Sequence, residues 1–172
     1  MIGDLVKNRF LAFLLIPMVI LPLAVGWSLL TSSTESQPQV RAEPVGVVRA
    51  VDGDTLVVER NGVEERVRLL GIDAPEVERN GNPGEACADE ATALMRKLTS
   101  QAKVEVVRDP SQPDQDRYGR TLAYVEAAGH DVSAELLRSG MAEVYEAAPN
   151  IARYADYRAL EESAPEPPCL SG

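Results

Sequence analysis

The sequence has one histidine, His130, and two cysteines, Cys87 and Cys169, in 172 residues. That scarcity excludes the usual zinc centres, which gather several nitrogen or sulfur ligands at short spacings. It also leaves any histidine-based acid–base scheme to one side chain at a Gly-His turn, expected to face solvent. Positive charge is short as well: 17 Lys and Arg stand against 27 Asp and Glu, for a net charge of −10. Residues 1–40 balance, with Lys7 and Arg9 against Asp4 and Glu35. The remainder carries 15 basic and 25 acidic side chains. Such a chain is poorly made to hold nucleic acid by its overall field, although single arginines can still grip one phosphate. Internal repeats are absent too.

What is present is enough apolar residue, 45%, for one core, with 26% charged residues arguing against general disorder. Phe10 to Leu30 is an uncharged run of 21 residues, about the length that spans a bilayer as a helix. Lys7 and Arg9 precede it, so the positive-inside rule keeps residues 1–9 in the cytoplasm and exports the chain beyond the run. Trp27 suits an interface anchor, and Pro17 and Pro22 are tolerated in membrane helices. The alternative is a removed secretion signal; on either reading the folded domain is outside the cytoplasm. The expected order is a span at 10–30, a Ser/Gln/Pro-rich linker at 31–43, a folded domain at 44–163 and a tail at 164–172.

Within the domain, Gly46–Asp52, Thr55–Arg60, Val63–Ile72, Lys103–Arg108 and Arg120–Ala127 read as strands. Asn61-Gly62 predicts a tight hairpin. Glu85–Ser100, Val132–Ser139 and Ile151–Glu162 read as helices, the first with an apolar stripe of Ala91, Leu94, Met95 and Leu98. The fold expected is α+β: a small five-stranded barrel with about three packed helices.

Two stretches carry chemistry. VDGDT…VRLLGIDAPE sets Asp52 and Asp54 at a turn, Arg68 on a strand, and Asp73 and Glu76 where that strand ends. DRYGR supplies Asp116, Arg117, Tyr118 and Arg120. Hydrolysis of a phosphodiester needs neutralised phosphate charge, an activated water and stabilised transition-state charge. Carboxylate and carbonyl oxygens suit calcium or magnesium. Arginines make bidentate contacts to phosphate, and a glutamate stiffened by Pro75 can serve as general base. Taken singly each element is ordinary. Asp-Gly-Asp is most often a turn, a strand arginine most often solvated, and Asp116-Arg117 most often a surface ion pair.

Taken together, VDGDT, VRLLGIDAPE and DRYGRTLAYV, in this order and at these intervals, resemble the thermonuclease family of staphylococcal-nuclease-like enzymes. The resemblance covers about Gly46 to Glu162. It implies an OB-fold barrel and calcium-dependent endonucleolytic cleavage of DNA and RNA, leaving 3′-phosphate ends. Carried onto this sequence, it implies Ca²⁺ ligation by Asp54, Asp73 and the carbonyl of Ala74, with Asp52 behind them. Arg68, Glu76 and Arg120 take the catalytic positions. Arg117 and Tyr118 fall where the terminal phosphate and nucleotide are held, and Tyr145 at a base-stacking position.

The sequence departs from the family at several points. Ala74 replaces a common threonine, the loop after Glu76 is shorter, Tyr145 stands where two tyrosines are frequent, and the surface is acidic, which implies a salt-sensitive grip on substrate. Two cysteines in an exported domain predict a Cys87–Cys169 disulfide, with two free thiols the alternative. A monomer is expected. The rival reading is a non-catalytic OB-fold binding or interaction module, which would be expected to have lost at least one of Asp54, Arg68, Asp73, Glu76 and Arg120.

Overall fold

The computed structural model describes residues 42–100, 102–167 and 169–170. The apolar run Phe10–Leu30 and the linker through residue 41 lie outside them. Among the described residues no helix is long and apolar enough to cross a membrane.

Strand β1 (Ala42–Ala50) is shared by two half-sheets. Its first half pairs antiparallel with β5 (Val104–Val107), from Ala42 opposite Val107 to Val45 opposite Val104. Its second half pairs with β2 (Thr55–Arg60), and a register shift between Val47 and Arg49 bends the strand from one half to the other. Asn61 and Gly62, at φ 53° and 80°, turn β2 into β3 (Val63–Leu69), which is the tight hairpin their identities predict. β6 (Thr121–Ala127) pairs antiparallel with β5 and runs parallel to β3, Val67 beside Thr121 and Leu69 beside Ala123. That last pairing closes a five-stranded barrel of the OB type, as expected. Leu56, Val58, Val67, Leu69, Val104, Val106, Ala123 and Val125 fill it, each at most 1% exposed. Every such Leu or Val contributes about 1.5–3 kcal/mol by leaving water.

Helix α1 (Ala88–Thr99) buries Ala91 and Met95, α2 (Val132–Arg138) buries Leu136 and Leu137, and α3 (Tyr154–Glu162) buries Tyr157. Glycine at 140 ends α2: its N–H reaches the Leu137 carbonyl while the Met141 N–H reaches that of Leu136. Cys87 and Cys169 are joined, with Cα atoms 5.6 Å apart across 82 residues of sequence. On a chain-entropy basis a loop that long gives about 4–5 kcal/mol.

The structure departs from expectation at several points, among them the helix starts, Ala88 where Glu85 was expected and Tyr154 where Ile151 was. β1 begins at Ala42, inside the stretch read as linker. The third strand stops at Leu69, not Ile72, because Leu70-Gly71 turns the chain. Gly71 has φ 80°, and a Cβ there would come within 2.3 Å of Ile151 and 2.9 Å of the Tyr157 ring. Ile72–Asp73 then forms a separate short strand, β4, paired with β8 (Glu143–Val144). Finally, Ala128-Gly129, not Gly129-His130, makes the turn into β7 (His130–Asp131); His130 is exposed as anticipated. Ala128 sits at φ 52°, a region that costs an alanine about 1–2 kcal/mol. Ala128→Asn is therefore expected to stabilise the protein by about 0.5–1 kcal/mol, read as a small upward shift of the urea midpoint.

A polar network fastens α3 to the barrel. Asp109 accepts from the Tyr124 hydroxyl at 2.6 Å, the Ala152 N–H at 2.8 Å and the Ser111 N–H at 2.9 Å. Arg153 bridges Asp131 and Glu126, both at 2.6 Å, and lies over the Tyr124 ring. Burial acts to raise the Asp109 carboxyl, but hydrogen bonds from Ala152, Tyr124 and Ser111 outweigh it and hold the group below the usual range. A lowered carboxylate contributes stability above its unfolded value, near 3.9, and loses it as pH falls through the folded value. Asp109→Ala is expected to cost about 2–4 kcal/mol at neutral pH, by leaving the Tyr124 hydroxyl and the Ala152 N–H without an acceptor. Urea titrations of both proteins should show the gap narrowing below about pH 4.

Candidate active site

The Asp52-Gly53-Asp54 turn is pressed into the molecule. A Cβ on Gly53 would meet the Ala74 Cβ at 2.6 Å and the Ala91 Cβ at 2.9 Å, so only glycine lets the turn seat between β4 and α1. Asp52 accepts the Asp54 N–H at 3.1 Å, a local bond typical of aspartate in turns. Its other oxygen faces Arg79, 3.5 Å away in the loop after Glu76.

Asp54 is 3% exposed. One of its oxygens accepts from the Thr55 hydroxyl at 2.9 Å; the other accepts from the Ala74 N–H at 3.1 Å and pairs with Arg68 Nη1 at 2.6 Å. Register explains the meeting, since Thr55 lies opposite Arg68 across β2 and β3. The same guanidinium donates to the Ile72 carbonyl at 2.9 Å and reaches Asp73 at 2.8 Å. Arg68 thus joins the turn to the strand end, and Asp54 and Asp73 share it. Burial pushes the Asp54 carboxyl up to about 7; Arg68 and the Ala74 N–H work against that, and Asp52 adds to it.

Arg120 approaches from the other side of the barrel seam. Asp116 holds it twice, through the backbone N–H at 3.0 Å and Nε at 2.7 Å. Asp116 also takes the Tyr118 N–H at 2.9 Å. Burial acts to raise the Asp116 carboxyl, but the Arg120 and Tyr118 donors outweigh it and hold it low. Its ion pair is thus with Arg120, not with the neighbouring Arg117 as sequence adjacency suggested. Asp116 orients Arg120, a role that spacing in a loop could not disclose. Arg117 donates to the Tyr118 hydroxyl at 2.6 Å, and both Arg117 and Arg120 lie over the Tyr118 ring, 4.7 and 5.5 Å from its centre. Tyr118 is 68% exposed.

Arg68, Arg120 and Tyr145 line one pocket of about 320 Å³, together with Gln112 and Asp116. Tyr145 is 45% exposed, and its N–H donates to the Gly71 carbonyl at 3.0 Å. Gln112 was not legible as a site residue, because nothing in its loop marks it. Asp54 and Asp73 adjoin the pocket through Arg68. Glu76 and Ala74 are not among its lining residues, and the exposed Glu76 stands three residues past Asp73.

The donor chemistry fits a hard cation. The acids here are oxygen ligands with no competing histidine or thiolate, and a buried Asp54 pushed toward neutrality beside Asp52 is a place where an added positive charge would be stabilising. Among the described residues no three His, Cys, Asp or Glu side chains converge closely enough to hold a metal as they stand. Arg68 pairs with one oxygen of Asp54 and one of Asp73, and so competes with a cation for those two oxygens.

A closed OB barrel with paired arginines and buried carboxylates beside its seam defines a domain suited to handling phosphate esters. Residues 66–167 match the Staphylococcal nuclease homologue family, and the chain belongs to that family. It is 36% identical over 132 residues to Thermonuclease of Staphylococcus intermedius, covering 76% of this chain and 74% of that protein. It is 33% identical to Thermonuclease of Staphylococcus hyicus, over 60% of each chain. Endonuclease YncB of Bacillus subtilis (strain 168) is 34% identical across 74% of this chain and 60% of its own length.

Proposed function

We propose that the protein is a calcium-dependent endonuclease that hydrolyses phosphodiester bonds of DNA and RNA and leaves 3′-phosphate ends. The observation that carries this reading is that Arg68, tied to Asp54 and Asp73, shares one pocket with Arg120. Family membership and relatives bearing the names thermonuclease and endonuclease support it.

Arg68 and Arg120 bind the non-bridging oxygens of the scissile phosphate by charge-assisted hydrogen bonds that tighten as charge builds there. Asp116 keeps the Arg120 fork aimed. Glu76, whose side chain is exposed to solvent, takes the proton of the attacking water. The bond that breaks is the one from phosphorus to the 5′ oxygen, which takes up a proton from water to leave as a hydroxyl, and the phosphate stays on the 3′ side. Asp54, Asp73 and the Ala74 carbonyl would hold calcium, which would supply further neutralisation of the phosphate. Attack by external water needs no 2′-hydroxyl, so both nucleic acids are substrates. Tyr118 and Tyr145 offer exposed rings for bases. The proposed setting is a membrane-anchored monomer with this domain outside the cytoplasm, or a secreted one if the N-terminal segment is removed; the disulfide agrees with an oxidising compartment.

The test is release of acid-soluble nucleotide from denatured DNA by the full chain at low salt, with calcium or with a chelator. Calcium-dependent release with 3′-phosphate ends is expected. A folded protein that binds nucleic acid and never cleaves it would move the reading to a binding module.

A further inference from the structure

Glu76 is exposed and sits on a short loop, which is a poor place for a base that must hold its geometry to a few tenths of an ångström. The loop, however, is closed at its neck by one residue. The Glu76 N–H donates to the Glu85 carboxylate at 2.9 Å, and the Glu85 N–H donates back to the Glu76 carbonyl at 2.9 Å. Inside this neck a smaller bridge joins Arg79 and Asn82, each N–H donating to the other's carbonyl.

The other side of Glu85 is fixed. Two residues on, Cys87 precedes α1 and carries the disulfide to Cys169. Ala91, one turn into α1, packs where Gly53 leaves room, so α1 lies directly against the Asp52–Asp54 turn. Glu85 therefore stands between the disulfide-linked start of α1 and the residue proposed as base. Glu85 lies outside the pocket of Arg68 and Arg120 and lines a separate one of about 660 Å³ with Asp73, Ala74 and Glu143, so calcium affinity has to be read beside rate.

We infer that Glu85 is a positioning residue for the hydrolysis, its carboxylate holding the Glu76 main chain so that the Glu76 side chain meets the attacking water. This rests on the reading of Glu76 as general base. An acceptor oxygen is what the role requires, not a charge, so glutamine at 85 should replace glutamate where alanine cannot.

The experiment compares wild type, Glu85→Ala, Glu85→Gln, Glu76→Gln and the Glu85→Ala/Glu76→Gln double variant as full chains with intact disulfide. It reads kcat and KM on denatured DNA, calcium affinity by titration, and hydrogen exchange at the Glu76 amide. Expected are a fall in kcat of about 10–100-fold for Glu85→Ala with KM and calcium affinity within about threefold. Glu85→Gln should stay near wild type, and the double variant should be no slower than Glu76→Gln alone. Protection of the Glu76 amide should be lost in Glu85→Ala and kept in Glu85→Gln, a readout that needs no turnover. Losses that multiply in the double variant, or an amide that stays protected in Glu85→Ala, would overturn the assignment. Wild-type activity in Glu76→Gln would instead remove the base itself, and with it this role, while leaving the amide result to stand on its own.

Discussion

Glu76→Gln is expected to lower kcat by about 10²–10⁴-fold, the range that a well-placed general base supplies. The amide keeps the size and the backbone bonds of Glu76, so the neck made with Glu85 should survive. KM and calcium binding should hardly change, because Glu76 is not among the residues that touch Asp54 or line the arginine pocket. The check is steady-state cleavage of denatured DNA over a range of pH, beside a calcium titration. A variant that cleaves within about tenfold of wild type would show that another group takes the proton.

The second large effect belongs to Arg68, which bonds Asp54 and Asp73 and, on the proposed reading, also binds the phosphate. Arg68→Ala removes a guanidinium from between a buried Asp54 and Asp73, to which it is bonded at 2.6 and 2.8 Å. Removing one partner of a buried pair costs about 3–5 kcal/mol. An arginine poised on a transferring phosphate is worth about 10³–10⁵ in rate. Arg68→Ala should therefore be both the slowest and one of the least stable variants. The two losses separate with calcium: the vacated carboxylates should welcome the cation, so calcium should raise the melting temperature of Arg68→Ala more than that of wild type. Activity should not return with it. Arg68→Lys keeps a charge but not the fork that spans both acids, and should recover more of the stability than of the rate. Equal melting temperatures for Arg68→Ala and wild type in chelator would refute the structural role of this arginine.

Much of the fold and site was legible in the residues. Valine-rich runs broken by Asn61-Gly62 define strands by period and turn chemistry, and the barrel follows from their number and order. Arg68, Asp54 and Asp73 could be named because three short stretches occur together, not because any one is distinctive. What stayed hidden depends on contacts distant in sequence. The break at Gly71 exists because Ile151 and Tyr157, far along the chain, fill the space where a side chain would go. The grip of Asp116 on Arg120 depends on how a loop folds back on itself, and an Asp-Arg neighbour pair in a sequence looks the same whichever arginine is held. Glu85 reads as the first residue of a helix; its work at the neck of a loop requires knowing that the helix starts at Ala88.

The parallel seam between β3 and β6 joins residues 67–69 to 121–123, and Arg68 and Arg120 stand on its two sides. Neither hairpin, formed alone, brings them together. The pocket is consequently absent from every partly folded form in which the seam is open, and a newly made chain lacks it until the later strand docks. Long-range docking of this kind is slow compared with hairpin formation. During refolding, recovery of cleavage should lag behind recovery of β-sheet circular dichroism, which makes turnover a clock for the closing of the ring.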